Sequence, residues 1–582
     1  MELQHLKEVC RLEAKESSQF ISDISEKVLI LTKIYLLVKS QKILILVFLL
    51  WSNVILVNAQ NTIGTIYNST AAEEGYTLFE YMGDTTIYLI DNCGQVINQW
   101  ESEFVAGTSV YLLEDGSIVR AGKTPTTHFS VGGQGGVLEK FDWDGNLLWQ
   151  YFLSDSLQSL HHDIAVMPNG NILAIAFELK SEQEAIDNGR DPALLPENEL
   201  WQEKIIELQP QGTNGALIVW EWHMWDHLVQ DYDDTKLNYG VVAEHPERFN
   251  INYITTPIAD WAHANSIDYN ASLDQIAISL NFFDEFVIID HSTTIFEAAS
   301  STGGNSGKGG DILYRYGNPE SYGHGDSTNR VNYRQHNVHW IADGLEDAGK
   351  IMFYNNGNGR PDGAYSSIEI ITPLTDINGN YILEADTTFG PDSAEWSYVA
   401  PIPTDFFSPM ISGAQRLPNG NTLICQGRDG RIFEINENKD IVWEYWSPIN
   451  NIGTMTQGDA PSGNRNVFRA LRYSPSYSAF SGNELTPGQP IELNPDLTAC
   501  KSVGISEFSD NNEVLNTYPN PVQDYLTIDL GKQSCECLVE IYDIYGKVVY
   551  KDMYSAPINL TALNSGVYFV YAAGQAKTII KE

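Results

Sequence analysis

Val110-Tyr111-Leu112-Leu113-Glu114-Asp115-Gly116-Ser117-Ile118-Val119 is an apolar run, an Asp-Gly turn and a second apolar run. The same grammar returns at residues 164–176 around Pro168-Asn169-Gly170-Asn171, and at 415–425 around Pro418-Asn419-Gly420-Asn421. Asp-Gly and Asn-Gly between β-type runs predict hairpins whose two central residues take positive φ. A second kind of strand pair, ending in aromatics, follows each: residues 138–149 around Asp144-Gly145, residues 205–222, and 432–435 leading to Val442-Trp443-Glu444-Tyr445. Two hairpins make a four-stranded blade, and blades in tandem predict an all-β chain built as a β-propeller, which leaves only short protected edges. Five or six blades fit into residues 61–495; an array of β-sandwiches is the competing arrangement.

Across this repeated sequence lie three histidine-bearing segments: Leu160-His161-His162-Asp163, Asp260-Trp261-Ala262-His263-Ala264-Asn265-Ser266, and Gln335-His336-Asn337-Val338-His339-Trp340. The chain has only 12 histidines in 582 residues. Loops at one end of a propeller converge on its axis, so segments from separate blades can meet in one pocket. Imidazole serves there as nucleophile, base or metal ligand near neutral pH. Residues 353–360, Phe-Tyr-Asn-Asn-Gly-Asn-Gly-Arg, bring further amides and the Arg360 guanidinium, whose planar fork suits a tetrahedral oxyanion.

The flanks have a different composition. Lys39 and Lys42 precede an apolar run at 43–57 that ends Val57-Asn58-Ala59-Gln60, the layout of a secretory signal peptide cut after Ala59. A membrane anchor is the alternative, against which the shortness of the run counts. Residues 496–515 lose strand periodicity and read as a linker; 516–582 alternate apolar and polar residues as a small β-sandwich. The expected division is therefore 1–59 extension and signal peptide, 60–495 propeller, 496–515 linker and 516–582 C-terminal sandwich. Of the six cysteines, Cys93 and Cys425 make a conceivable bridge in an oxidising compartment. A net charge of −42 argues against nucleic acid and anionic lipid as partners.

Together, His162-Asp163 with Pro168-Asn169-Gly170-Asn171, the Asp260-Trp261-x-His263-x-Asn265-Ser266 segment, Gln335-His336 and residues 355–360 resemble the aryl-sulfate sulfotransferase family, over roughly residues 75–450. The resemblance implies a six-bladed propeller that moves a sulfuryl group from a phenolic sulfate ester to a phenol acceptor, with no nucleotide donor and no metal or organic cofactor. It implies His336 as the nucleophile that is transiently sulfated, His263 and Asn265 as the sulfuryl clamp with Trp261 beside them, and His162, or its neighbour His161, as a further active-site histidine. The family arginine in the strand after the His-x-Asn segment falls on Asn281, and Arg334 or Arg360 is left to supply the charge. A propeller that keeps the fold but only binds a sulfated or phenolic ligand, or a surface partner, is the rival reading. A metal-dependent lyase or hydrolase is a third, with Asp163 and Asp260 as the acids adjacent to the histidines.

The tail, through Tyr518-Pro519-Asn520-Pro521-Val522 and Leu563-Asn564-Ser565-Gly566-Val567-Tyr568, resembles the C-terminal sorting domain of the type IX secretion system of Bacteroidetes. That implies passage through the periplasm to the cell surface or the medium, with the secretion machinery as a partner. The sequence leaves room for a homodimer. In the aromatic segment Trp220-Glu221-Trp222-His223-Met224-Trp225-Asp226-His227, a wall for a phenol ring and a reading with core tryptophans and solvated His223 and His227 are equally supported. The glycine-rich stretch 303–310 lacks the Gly-Lys-Ser/Thr ending of a phosphate loop and reads as a flexible connection.

Overall fold

The computed structural model describes residues 61–125, 128–195, 197–384, 387–500 and, within 516–582, all but 530–537, 544–546, 555–556 and 573–574. The proposed signal peptide lies outside the described residues. The chain divides into two compact units, Met1–Ser502 and Val503–Glu582.

In the first unit the predicted hairpins are present and assemble into six antiparallel meanders. Their innermost strands are Ala106–Leu112, Gln158–Val166, Ala264–Asn270, His336–Trp340, Gly413–Arg416 and Val467–Tyr473. Each packs against the next, and the last returns to the first, so the inner strands close a ring. Closure uses both ends of the unit. Val467–Tyr473 is the innermost strand of the sheet completed by Tyr76–Tyr81, Thr86–Ile90 and Val96–Glu101, while Gly64–Asn68 adds a fifth, outermost strand beside Ile441–Trp446.

The turns differ from the expected two-residue form. In the first hairpin the Gly116 N–H bonds the Leu113 carbonyl and the Leu113 N–H bonds the Ser117 carbonyl, enclosing a three-residue loop. Only the glycine has positive φ, +83° at Gly116 and +84° at Gly170, while Asp115 and Asn169 stay on the ordinary side. A type I turn followed by one left-handed residue matches the strand twist as well as the two-residue turn does, and asks positive φ of one residue rather than two.

Apolar clusters fill the spaces between neighbouring sheets; the largest joins the second and third meanders around Trp220, Trp222, Trp261 and Phe283. A disulfide joins Cys93 to Cys500, with Cα atoms 5.2 Å apart. The Cys93–Cys425 pairing is thereby corrected: Cys425 lies on the buried strand Thr422–Gln426 as a free thiol that burial pushes up to about 12. The second unit comprises a three-stranded sheet (Asn516–Tyr518, Tyr525–Asp529, Ile558–Asn559) and a four-stranded one (Leu538–Asp543, Val548–Met553, Gly566–Ala572, Gln575–Lys581), sharing a core of Val522, Leu526, Val539, Ile541 and Val570.

Candidate active site

The inner strands are irregular at matching places. Register shifts fall at His161–Asp163, at Asn265 and at Asn337–Val338, where each strand parts from its outer neighbour. His162, His263 and Asn337 take φ values of 51°, 54° and 51° at or beside these bulges. A bulge re-aims the side chains around it, and a non-glycine left-handed residue persists only where its surroundings hold it. Three histidines are gathered in this way.

The imidazoles of His162 and His263 meet edge to face with centroids 4.6 Å apart, and Phe468 lies 6.3 Å from His162 and 6.4 Å from His336. His162 and His336 are buried, while the His263 side chain keeps 14% exposure and opens the cluster to solvent. Gly132 and Gly133, which follow Ile118–Lys123 in the chain, lie against it. Gly133 accepts the His162 N–H at 2.7 Å, and a Cβ there would stand 2.0 Å from the His162 ring, so only glycine allows this approach.

Each histidine has its own polar support. His161 Nδ1 and His162 Nδ1 are 2.8 Å apart, so one of the two carries the shared proton; His161 Nε2 is 2.9 Å from buried Glu203, and its ring stacks on Phe177. Burial drives His161 down to about 3 and holds Glu203 well above the carboxylate range, the charge of Asp260 adding to the latter, so this pair is neutral. His263 Nδ1 meets Asp260 at 2.5 Å. Burial opposes its protonation, but the charge and hydrogen bond of Asp260 outweigh it and raise its pKa. His336 is the opposite case: burial drives it down to about 3, its hydrogen bond to Asn356 Oδ1 resisting and the charge of His263 adding to the fall. The cluster thus holds a neutral imidazole near an imidazole biased toward its cation.

The other sequence candidates have distinct surroundings. Asn265 is fully buried; its amide donates to the Gln335 carbonyl at 2.8 Å, leaving Oδ1 without a partner. Asn281 donates to the Arg334 carbonyl at 3.2 Å, and the Arg334 guanidinium approaches Asn281 Oδ1 at 3.4 Å while lying over Phe282, which stacks on His263. Arg360 is held elsewhere, by Tyr365 and Ser367. Trp261 is core, edge-on to Phe283. Trp220 and Trp222 are core too, but His227, expected as a solvated loop residue where the tryptophans are core, is buried between Asp311 and the Ala298 carbonyl. Among the described residues no group of three or more His, Cys, Asp or Glu side chains converges as a metal site.

Beside the cluster, Arg469 carried no mark in the sequence, whereas Asn356 stands in the 353–360 stretch whose amides were expected near the axis. Arg469, from the closing strand, forms a two-pronged pair with Asp163, with Nη2 to Oδ2 at 2.7 Å. Asn356 meets His336 Nδ1 at 2.8 Å, and the Ile411 N–H meets its Nε2 at 3.2 Å. A cavity of about 370 Å³ opens beside Phe282 and Arg334, lined also by Tyr253, Ile254, Thr256 and Arg330.

A family model described as arylsulfotransferase (ASST) matches residues 52–454, and one described as a secretion system C-terminal sorting domain matches residues 516–582. No curated protein matches the chain. Among solved structures, similarity extends to a protein of unknown function from Bacteroides caccae (10% identity, 69% of this chain and 99% of that one, TM-score 0.36). It extends also to virginiamycin B lyase from Staphylococcus aureus (12% identity, 67% and 86%, TM-score 0.31) and to a putative 6-phosphogluconolactonase from Bacteroides fragilis (8% identity, 70% and 99%, TM-score 0.31).

Proposed function

This chain belongs to the arylsulfotransferase family, and we propose that it carries a sulfuryl group from a phenolic sulfate ester to a phenol acceptor by way of a sulfated His336. The ring of six meanders is read as a six-bladed propeller with the histidines at one mouth of its axis, and the two small C-terminal sheets as a sandwich. The sorting domain marks the protein for export by the type IX system to the cell surface or the medium.

In the first displacement His336 Nε2 attacks sulfur, the nitrogen–sulfur bond forms, and the bond to the aryl oxygen breaks with its electron pair leaving on the phenolate. In the second, the acceptor phenol oxygen attacks sulfur, the nitrogen–sulfur bond breaks, and the acceptor's proton is passed to the departed phenolate or to solvent. Dividing the transfer in this way predicts ping-pong kinetics. His263, held by Asp260, and His162 face the growing charge on the sulfuryl oxygens. Arg334 beside Asn281 supplies the cation expected at that position, and the cavity along Phe282 receives the aryl ring. The observation that carries this reading is the gathering of His162, His263 and buried His336 from three separate meanders into one cluster around Phe468.

The test is p-nitrophenyl sulfate with excess phenol, on the wild type and His336→Ala. Phenol-dependent nitrophenolate release that vanishes in the variant, with a sulfuryl mass on His336 when phenol is omitted, is expected. Folded wild-type protein that gives neither release nor adduct would move the assignment to a ligand-binding propeller; Asn281→Arg would then be the variant to assay.

A further inference from the structure

Every group facing the two ring nitrogens of His336 has a fixed hydrogen-bonding sense. At Nδ1 stand Asn356 Oδ1, at 2.8 Å, and the Arg334 carbonyl, at 3.1 Å. The Asn356 amide cannot reverse its ends, because Nδ2 donates to the Ser408 carbonyl at 2.7 Å and to the Ile411 carbonyl at 2.9 Å. The Arg334 carbonyl also receives the Asn281 amide at 3.2 Å, which leaves Asn356 Oδ1 as the nearer acceptor. At Nε2 stands a donor, the Ile411 N–H at 3.2 Å, in a segment where Ile411 and Ser412 both have positive φ, 50° and 92°. A β-branched residue rarely holds that backbone conformation unless its surroundings impose it.

From this geometry we propose that Asn356 is a positioning residue which keeps the proton of His336 on Nδ1 and so makes Nε2 the atom that bonds to sulfur. The inference rests on the reading of His336 as nucleophile. Two acceptors at one nitrogen and a donor at the other admit a single neutral tautomer. As the nitrogen–sulfur bond forms at Nε2 the ring gains positive charge, its Nδ1–H becomes a stronger donor, and the bond to Asn356 tightens in the transition state more than in the ground state. The Ile411 N–H must yield its place to sulfur, which leaves it beside the incoming sulfuryl oxygens.

The experiment is a long-range ¹H–¹⁵N correlation on the full chain with labelled histidine, free of substrate, on wild type, Asn356→Ala and Asn356→Asp, with His336→Ala used to assign the signals. Wild type is expected to show the proton on Nδ1 in slow exchange with solvent. Asn356→Ala should shift that resonance and speed its exchange, and lower kcat on the order of 100-fold with the donor KM little changed. Asn356→Asp keeps an acceptor but places a carboxylate against the ring, so the acid limb of kcat should move to higher pH while part of the rate returns above it. A wild-type ring protonated on Nε2 would overturn the proposal, as would Asn356→Ala with an unchanged Nδ1–H signal, or Asn356→Asp with the wild-type pH profile. Should Asn356→Ala fail to fold, the wild-type tautomer and the Asn356→Asp profile still decide. If wild type transfers no sulfuryl group, the reading of function fails on its own while the tautomer result stands.

Discussion

His336 and His263 share one cluster, yet burial wins at the first and the Asp260 partner wins at the second. That contrast fixes the sign of the pH dependence. With the His336 pKa at about 3 the proposed nucleophile is unprotonated through the mildly acidic range, so no acid limb belongs there. His263 has a raised pKa, so its charge is full below it and is lost as pH rises through it. Single-turnover nitrophenolate release without acceptor, which removes the titration of the acceptor phenol, should be flat on the acid side and fall toward alkaline pH. His263→Gln should abolish the alkaline limb and reduce the rate roughly 100–1,000-fold; a wild-type rate that instead climbs near about pH 6.5, the ordinary imidazole value, would contradict a neutral buried His336. The three histidine segments were legible because imidazole is scarce in the chain and they stand in recognisable motifs. Glu203 was not, since a glutamate in a strand is ordinary and its histidine is 42 residues away; Asn356 stood in a stretch marked for its amides, but its pairing with His336 was not legible. Trp261 and Arg360 were marked by their places in the motifs at 260–266 and 355–360, while their neighbours in the fold, Phe283 and Tyr365, were not legible.

Asp163 shows how one bulge serves several strands. Its carboxylate receives the Tyr111 hydroxyl at 2.8 Å, its neighbour Ile164 N–H at 3.0 Å, the Ile267 N–H at 3.3 Å and the Arg469 guanidinium. Four inner strands, Ala106–Leu112, Gln158–Val166, Ala264–Asn270 and Val467–Tyr473, are tied at one buried point directly beside His162. Removing either partner of a buried ion pair leaves the other charge uncompensated, at a cost of roughly 3–5 kcal/mol. Asp163→Asn and Arg469→Met should each lower the unfolding free energy extrapolated from urea denaturation by that much, and the double variant should lose less than their sum because the stranded charge is gone. Additive losses would mean that the pair does not act as a unit. Arg469 reaches Asp163 because the ring is closed by a strand that pairs with Tyr76–Tyr81, almost 400 residues earlier in the chain. The hairpins themselves were legible, since Asp-Gly and Asn-Gly act over a few residues; their turn type and the two closing strands were not, because local spacing carries neither the backbone twist nor a partner so distant.

The net charge of −42 surrounds a site that must admit an anion, and on this scale the two requirements oppose each other. Local cations answer only at short range: Arg334 at Asn281 and His263 at Asp260 act over a few ångströms, whereas the field of the whole chain acts on the donor during its approach. That field is governed by salt, with a Debye length of about 30 Å at 0.01 M and about 8 Å at 0.15 M. Repulsion therefore slows capture of an aryl sulfate most at low ionic strength, so kcat/KM for the sulfate donor should rise between these conditions while the rate of the bound complex stays constant. The uncharged phenol acceptor is an internal control whose own KM should not move. The contrary result, a donor kcat/KM that falls as salt is added, would mean that the cations at the mouth prevail over the field at a distance. Arg334→Gln distinguishes the two contributions: it should weaken donor binding at every ionic strength yet steepen the rise with salt, because an attractive, screening-sensitive contribution at the mouth is then gone while the repulsive field remains.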